Sequence, residues 1–342
     1  MKAIKFFAIS AMAAAMITSC SSDDELSQSN YPSDNIVRVT AGVNNAKTRA
    51  EGAGTEMKKD FSLTIVNKNA PKYTYTDKVF SKSSGDWACS ETLLWQKSDA
   101  LVDIVAFAPA QTGKFNGVYA EGSIQPITYS VADDQSTDQS TSSANNDLLY
   151  YYAPGFNPGK SLVDKKLNIQ FNHAFCMIDI VVTLGTEFNK PKVLDDSPIV
   201  KVTLDGTKIA ANVDVKNAAT GSTTTTAASV VTASETATPT TITTTKGTFT
   251  KAANEEANAK SCFSCIAIPQ TVAANTFKVS LMTAGKRYEW TSDKEITLQS
   301  GYRYTLELSM GNDVVLLKGG SDNGGITATP WGNGTDGSLE TD

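Results

Sequence analysis

The stretch Tyr302-Arg303-Tyr304-Thr305-Leu306-Glu307-Leu308-Ser309-Met310 alternates apolar and polar residues without a break. Because successive side chains of a strand point to opposite faces, this pattern predicts an antiparallel strand with one buried face and one face in water. Upstream, Phe277 to Leu281 alternates in the same way, a turn follows at Ala284-Gly285, and Tyr288 to Trp290 continues on the return. The C-terminal part of the chain therefore reads as antiparallel β-structure.

Short segments with strand composition recur along the rest of the chain, separated by Gly, Pro, Asn, Asp and Ser. These segments are 36–43, 61–66, 73–80, 93–95, 101–107, 167–171, 178–184, 200–204 and 261–269. Closely spaced short strands with turn signals between them are typical of β-sandwiches. The strand at 200–204 is expected to run into a tight turn at Asp205-Gly206. Residues 217–246, rich in Thr and Ala, are expected to form a long surface excursion, with a β-strand within it as an open alternative.

The chain is long enough for two domains of common size. A turn cluster with Pro154, Gly155, Pro158 and Gly159 suits a boundary between them. The sequence therefore predicts an N-terminal β-sandwich domain over residues 36–160 and a C-terminal β-sandwich domain over 161–342.

The N-terminus has the organisation of an export signal. Lys2 and Lys5 precede an apolar run from Phe6 to Ile17 that is too short to span a bilayer, and a cysteine stands at position 20. This arrangement resembles a bacterial lipoprotein signal, which predicts a signal peptide over residues 1–19, lipidation of Cys20, for instance with palmitate, and a polar tether over 20–35. An ordinary secretory signal cut nearby is the alternative.

The charge balance is acidic, with 36 Asp and Glu against 30 Lys and Arg. An acidic chain has no electrostatic basis for binding nucleic acid. No second apolar run has the length of a transmembrane helix, so attachment to the outer membrane is expected to depend on the lipid of Cys20.

Four cysteines follow Cys20, namely Cys89, Cys176, Cys262 and Cys265. The spacing of Cys262 and Cys265 is that of a redox or metal motif, but on a strand residues three apart face opposite sides. No second such pair completes a zinc site, so no metal or cofactor is predicted and buried structural thiols are favoured. The alternatives of two disulfides, in three pairings, or of reduced thiols stay open.

His173 is the single histidine and lies between Phe171 and Phe175, three residues before Cys176. A Cys-His dyad would need an oxyanion hole, for which the sequence offers no motif. A structural role is therefore favoured, no residue is predicted to be catalytic, and the protein is not expected to be an enzyme.

Two further patterns have a functional and a structural interpretation. The acidic pairs Asp133-Asp134 and Asp195-Asp196 lack the spacing of a calcium loop and are read as solvated loops. The aromatic residues Trp87, Trp95 and Tyr150-Tyr151-Tyr152 could stack on a sugar, but such residues are more often part of a sandwich core.

Several segments, taken in order, resemble the fimbrillins, the lipoprotein pilins of type V pili in Bacteroidetes bacteria. The segments that carry this resemblance are 94–95, 102–109, 146–149, 167–174, 204–207, 268–270, 298–304 and 326–331. The resemblance implies two tandem transthyretin-like Greek-key β-sandwich domains, hence an all-β fold, and export as a lipoprotein to the outer membrane and cell surface. It also implies other pilus subunits as partners.

In that family an arginine-specific protease cuts the loop after the first strand, and a strand from a neighbouring subunit fills the groove that the lost strand leaves. The resemblance places this processing cleavage between Arg49 and Ala50. The displaced strand is then the segment from Ile36 to Val43, with Ile36, Val37, Val39, Ala41 and Val43 as its apolar residues. Ile326 to Trp331 is a candidate donor strand, whereas Gly332 to Asp342 is Gly-rich and acidic and makes a poor strand.

The leading hypothesis is therefore a structural and adhesive pilus subunit that assembles by protease-triggered strand exchange, as stalk or tip. The alternative is a cell-surface lipoprotein that does not polymerise and binds a glycan or another host or bacterial adhesion ligand. The two hypotheses differ in the role of Arg49, because a polymerising subunit should depend on cleavage there and a monomeric binder should not.

Overall fold

The all-β prediction is confirmed by the computed structural model, which describes residues 30–44, 55–57, 59–83, 85–110, 119–120, 123–137, 146–219, 230–317 and 326–331. Helical structure in these residues comprises the helix α1 (Pro158–Ser161) and the 3₁₀ turns Pro71–Tyr73, Thr186–Asn189 and Val215–Ala219. None of the described helices is long and apolar enough to cross a membrane.

The strands in the described residues are β1 (Val39–Val43), β2 (Thr55–Glu56), β3 (Phe61–Val66), β4 (Tyr75–Ser83), β5 (Asp86–Cys89), β6 (Val102–Ala108), β7 (Tyr119–Ala120), β8 (Ser123–Ile124), β9 (Ile127–Ser130), β10 (Leu149–Phe156), β11 (Leu167–His173), β12 (Cys176–Leu184), β13 (Ile199–Lys208), β14 (Ala210–Val213), β15 (Val231–Ala233), β16 (Pro239–Thr243), β17 (Thr245–Thr250), β18 (Ala259–Ala267), β19 (Thr271–Val272), β20 (Lys278–Thr283), β21 (Arg287–Thr291), β22 (Ile296–Thr297), β23 (Tyr302–Met310), β24 (Val315–Leu317) and β25 (Ile326–Pro330).

An eight-stranded sheet in the order β2-β1-β11-β10-β6-β3-β4-β5 contains most of the N-terminal strands. Its β1–β11 pair is parallel, and its other pairs are antiparallel. One face of the sheet packs on an apolar cluster, here called the N-terminal core, which includes Phe61, Ile104 and Phe171. The strand β11 thus lies with the N-terminal strands, although the predicted division at residue 160 puts it in the C-terminal part. That division into two domains stays a prediction.

The C-terminal part forms a sandwich of two sheets around a second apolar cluster. One sheet has the order β17-β18-β12-β23-β24, with β25 also paired to β23, and the other has the order β16-β13-β20-β21. The alternation in Tyr302–Met310 is confirmed, since Tyr304, Leu306, Leu308 and Met310 are buried. Its predicted direction is only partly right: β23 runs antiparallel to β24 and β25 but parallel to β12. Alternation determines which residues face the core but does not determine strand direction.

A third apolar cluster joins the two parts of the chain, and we call it the junction core. Val105 and Phe107 enter it from β6, whereas Ile104 and Ala106 face the N-terminal core on the other side. This burial on both faces explains the nearly continuous apolar run of β6. The short sheet β15-β14-β9 closes the junction core, so a strand before residue 160 pairs with strands after residue 200.

One local expectation was wrong. The chain does not turn at Asp205-Gly206. Instead β13 continues through it to Lys208, with a shift in its register against β16. Gly206 has φ +95° and its Cα faces the carbonyl of Thr276, a backbone conformation and a close approach that favour glycine. The described residues of the segment 217–246 contain more than the one β-strand that the sequence left open, because β15, β16 and the start of β17 lie within them.

Candidate functional site

The segment Ile36–Val43, predicted to be the displaced strand, is held by two different neighbours. Its second half is β1, which pairs in parallel with β11 in the register Val39 to Leu167, Ala41 to Ile169 and Val43 to Phe171. The carbonyl of Arg38 accepts the N–H of Leu167 at 2.8 Å, and the N–H of Asn44 donates to the carbonyl of Phe171 at 2.7 Å. These two bonds mark the two ends of the parallel ladder.

The first half of the segment runs beside Leu93–Trp95. The N–H of Val37 donates to the carbonyl of Leu93 at 2.9 Å, and the N–H of Trp95 donates to the carbonyl of Asn35 at 2.8 Å. Ile36 forms an isolated antiparallel bridge with Leu94. The change of partner after Val37 accounts for the interrupted alternation at Ile36 and Val37 in the sequence.

The side chains of this segment divide between the core and water. Val37 and Val39 are buried in the N-terminal core, and Ala41 and Val43 pack against it half-buried. Thr40 faces outward, where its hydroxyl donates to the side chain of Asn168 at 3.2 Å. One face of the strand therefore supplies apolar contacts, and the other supplies only exposed polar ones.

A charged pair lies at the exposed start of the segment. The guanidinium of Arg38 donates to both carboxylate oxygens of Asp34, at 3.0 and 2.6 Å. This side-chain bonding and the backbone N–H of Ile36 hold the pKa of Asp34 well below its ordinary value. Both side chains are exposed, so the pair is expected to contribute little to stability.

The surface beneath β1 is strongly apolar. Leu167, Ile169 and Phe171 of β11 are fully buried, and the ring of Phe171 meets that of Phe61 edge to face at 5.5 Å. On its other side β11 pairs with β10 only at Asn172 and His173. Loss of Ile36–Val43 would leave residues 167–171 as an open edge beside an apolar floor, an arrangement that is unstable in water.

A similar five-residue strand lies at the other end of the described chain. The strand β25 pairs with β23 from Ile326 opposite Leu306 to Pro330 opposite Tyr302. Ile326 is buried, whereas residues 327–330 are exposed. Trp331, which follows, is again buried and belongs to the junction core. The candidate donor segment is therefore paired within its own chain.

Two kinds of comparison bear on this arrangement. The model of a family described as fimbrillin-like matches residues 48–331, more than half of the chain. The chain belongs to the fimbrillin-like family. Membership confirms the family resemblance seen in the sequence and makes the protein a pilus or adhesion subunit of the cell surface. No curated protein matches the sequence.

Crystal structures of Bacteroides proteins share the fold at low sequence identity. A protein from Bacteroides ovatus assigned to cell adhesion is 16% identical, with a TM-score of 0.56 over 86% of this chain and 96% of the other. A similarly assigned protein from Bacteroides uniformis is 14% identical, with a TM-score of 0.51 over 88% and 99%. A fimbrial protein from Bacteroides vulgatus is 15% identical, with a TM-score of 0.51 over 86% and 99%.

The remaining predicted site residues of this fimbrillin-like chain lie outside the described residues. These are Cys20, the predicted lipidation site, and Arg49 and Ala50, the predicted processing site. Of the apolar residues predicted for the displaced strand, Val39, Ala41 and Val43 lie along the edge of β11, and Val37 joins them in the N-terminal core. Ile36 instead forms a bridge with Leu94.

His173 has structural partners that the sequence did not reveal. Its Nδ1 lies 2.9 and 3.1 Å from the two carboxylate oxygens of Asp147, and its ring is stacked on that of Trp331. The thiol of Cys176 instead donates to the carbonyl of Ala267 at 3.2 Å, and burial raises its pKa. A neutral thiol bonded to a carbonyl is not a poised nucleophile, so the arrangement does not form a Cys-His dyad.

The four described cysteines carry free thiols. Cys265 faces the C-terminal sandwich core, where burial raises its pKa, while Cys262 is half-exposed on the same strand. The two side chains lie on opposite faces of the strand, as expected for residues three apart on a strand. In the described part of the chain, no three His, Cys, Asp or Glu side chains are grouped as a metal site would need.

The aromatic residues do not form one sugar-stacking platform. Trp95 is buried and stacks on Phe156, and Trp87 packs edge to face on Phe61. Tyr150 and Tyr152 pack on the junction core, whereas Tyr151 packs on the N-terminal core. Adjacent strand residues must alternate between faces, so the three tyrosines cannot share one surface.

Proposed function

We propose that this fimbrillin-like protein is exported as a lipoprotein anchored through Cys20, is cut after Arg49, and polymerises by strand exchange. The observation that carries the proposal is the pairing of Val39–Val43 with residues 167–171 of β11, an apolar edge that no other described strand covers. A strand that fills this edge restores the backbone ladder and buries alternate side chains. The protein acts in this proposal as a structural and adhesive subunit without catalytic residues.

The C-terminal strand supports a second copy of this chain as the source of the incoming strand. The first three residues of Ile326-Thr327-Ala328-Thr329-Pro330 repeat the residue types of the first three of Val39-Thr40-Ala41-Gly42-Val43. A β-branched apolar residue, Thr and Ala occupy the same three places in both. Pro330 corresponds to the last place, at the strand end, where the loss of one N–H is tolerated. The segment 318–325 between β24 and β25 is Gly-rich, a composition suited to a linker.

Removal of the processing arginine tests the cleavage. Protein recovered from cell surfaces is analysed by mass spectrometry and by electrophoresis without boiling, for wild type, Arg49→Ala and the control Lys47→Ala. We expect an N-terminus at Ala50 and a heat-labile ladder for wild type and for the control. Arg49→Ala should keep its lipidated N-terminus at Cys20 and remain monomeric. An undiminished ladder in Arg49→Ala contradicts processing at this site.

A cross-link tests the identity of the donor strand. Thr40 pairs with Asn168 on the exposed face, so Thr327 of a second copy is expected to take that place. Subunits with Asn168→Cys are mixed with subunits with Thr327→Cys, both in a Cys89→Ser, Cys262→Ser background, and oxidised. Dimers should form with Thr327→Cys and not with the control Thr329→Cys. A ladder that forms without this cross-link would assign the donor role to another segment.

The lipid anchor has a separate test. Cys20→Ser should abolish acylation and release the protein from the membrane fraction. Serine cannot form the thioether of a lipoprotein, and no other membrane attachment is proposed. Membrane retention of Cys20→Ser at the wild-type level contradicts the lipoprotein proposal.

A groove at the junction of the two parts favours ligand binding as the second candidate function. It encloses about 790 Å³ and is lined by Tyr150, Lys208, Val231, Gln270, Leu298 and Ser300. Within the described residues, the buried hydroxyl of Ser300 has no hydrogen-bond partner. A mixture of one aromatic ring, apolar side chains and polar groups suits a sugar. Oligosaccharide binding by Arg49→Ala monomers that is lost in Tyr150→Ala would favour this function.

A further inference from the structure

Trp331 fixes the end of β25 to a site on the other part of the chain. Its indole lies over the imidazole of His173, with ring centroids 3.9 Å apart and planes inclined by 5°. Its backbone N–H donates to the carbonyl of Gly301 at 2.7 Å. Only 9% of Trp331 is exposed, so the stack is a buried contact.

The imidazole beneath it is itself held in place. His173 pairs with Leu149 at the end of β11, and its Nδ1 contacts both carboxylate oxygens of Asp147. The side chains of His173 and Asp147 are 10% and 4% exposed. A ring restrained by a ladder pair and by a buried carboxylate is a fixed platform for the indole.

The strand β25 has few other anchors. Four of its five residues are exposed, and Ile326 is the buried one. The strand β25 is therefore held by apolar burial at its two ends, through Ile326 and Trp331, and by a short ladder of main-chain bonds at a sheet edge. Loss of the indole contact would leave the C-terminal end of β25 attached by main-chain bonds, that of Trp331 to Gly301 included, and by the hydroxyl of Thr329, which donates to the carbonyl of Arg303 at 3.4 Å. Strand ends without apolar anchoring open first.

We propose that Asp147, His173 and Trp331 form a C-terminal latch that retains β25 in its own sheet and limits the rate at which it becomes available to a second copy. This inference rests on the proposed strand exchange for its consequence, but the latch itself is a property of the isolated chain. The latch joins β25 to β11, the same strand that carries β1. Asn44 at the end of β1 contacts Asn172, the neighbour of His173, through their side-chain amides at 2.9 Å.

Hydrogen exchange on the unprocessed chain tests the latch without any assembly. We compare the amides of Thr327 and Thr329, which the register turns toward β23, in wild type, Trp331→Ala, Trp331→Phe and the control Thr329→Ser. Exchange at these amides should be at least about tenfold faster in Trp331→Ala, by analogy with local opening of poorly packed segments. Trp331→Phe keeps a stacked ring, so its exchange rates should lie between those of wild type and Trp331→Ala. In Thr329→Ser, the amide of Thr327 should exchange at the wild-type rate.

The amides of β1 and β12 report on global stability in the same samples. Unchanged exchange at Thr327 and Thr329 in Trp331→Ala overturns the latch, as does an equal acceleration at β1 and β12, which would indicate general destabilisation. His173→Leu, which removes the aromatic ring beneath the indole, serves as a second variant if Trp331→Ala does not fold. It should also accelerate exchange at Thr327 and Thr329, and unchanged exchange there would overturn the latch.

Assembly of processed subunits then separates the latch from the proposed function. Trp331→Ala should form the ladder faster than wild type if β25 is the donor. Fast exchange at Thr327 and Thr329 without a ladder in any variant, wild type included, would reject strand exchange and keep the latch. A normal wild-type ladder with unchanged exchange in Trp331→Ala would reject the latch and keep strand exchange.

Discussion

The backbone N–H of Asn44 donates to the carbonyl of Phe171 at 2.7 Å, the last bond between β1 and β11 before the segment in which cleavage is proposed. The end of β1 and the proposed cut are therefore close in sequence. Cleavage after Arg49 would leave the whole of β1 on the released N-terminal piece. Main-chain bonds and apolar contacts from Ile36 to Val43 would then be the main attachment of that piece, together with the bonds of Asn35 and Asn44 and the packing of Tyr31 on the N-terminal core.

Val39→Ala should weaken the unprocessed protein and leave the polymer unaffected. Val39 is buried, so removal of two methyl groups is expected to lower the free energy of unfolding by about 2 kcal/mol. The released strand is absent from the mature subunit, so the temperature at which the ladder dissociates should not change. Denaturant unfolding of the precursor and heating of the ladder measure the two effects, with exposed Thr40→Ala as the control. A lower dissociation temperature for Val39→Ala would show that β1 remains in the polymer.

Phe171→Ala should weaken both forms. Phe171 is fully buried in the floor beneath β1, and it would contact either the native strand or its replacement. Truncation of a buried Phe is expected to cost about 4 kcal/mol of unfolding free energy. The same two measurements apply, and a polymer that keeps its wild-type thermal stability would place the incoming strand elsewhere.

Arg303→Met should destabilise the C-terminal sandwich in a manner that depends on pH. Arg303 pairs with Asp179 across β12 and β23, and both side chains are 12% exposed. Burial raises the pKa of Asp179, and the pairing with Arg303 opposes that effect. Removal of the guanidinium leaves a buried unpaired carboxylate, at a cost of about 4 kcal/mol near neutral pH.

The sign of the pH effect follows from the raised pKa of Asp179. A carboxyl whose folded pKa exceeds its unfolded value contributes stability below the unfolded pKa and loses that contribution as the pH rises through the folded pKa. The deficit of Arg303→Met should therefore be smaller at about pH 4 than at about pH 8, near and above the ordinary pKa of Asp. Urea unfolding at both pH values measures the loss of unfolding free energy. The double variant Asp179→Asn, Arg303→Met should lose the same amount at both pH values. An equal deficit at both pH values would mean that lost packing dominates.

Thiol labelling should divide the four described cysteines into two classes. Cys89 and Cys262 are half-exposed, whereas Cys176 and Cys265 are buried and have pKa values raised by burial. Only the thiolate reacts readily, so a maleimide should modify Cys89 and Cys262 first in native protein and all four in urea. Rapid native labelling of Cys265 would contradict the packing of β18 against the sandwich core.

Much of the β-structure could be predicted from local pattern. The alternation at Tyr302–Met310 and the turn at Ala284-Gly285 identified strands, faces and a hairpin, since period and turn chemistry are local properties. The turn expected at Asp205-Gly206 was wrong, because the same dipeptide also suits a bulge in a continuous strand. The choice between them depends on the approach of Thr276, which is distant in sequence.

The sequence by itself determined that the chain is an all-β member of the fimbrillin-like family, because strand period, turn residues and the order of short motifs are readable without contacts. It also placed an apolar strand within Ile36–Val43, where the structure has β1 over Val39–Val43. Only the tertiary structure decided which edge that strand covers, that β11 lies with the N-terminal strands, and that His173 stacks on Trp331 beside Asp147. Those relationships join residues far apart in the chain, and pairing between distant strands depends on global packing rather than on any local preference.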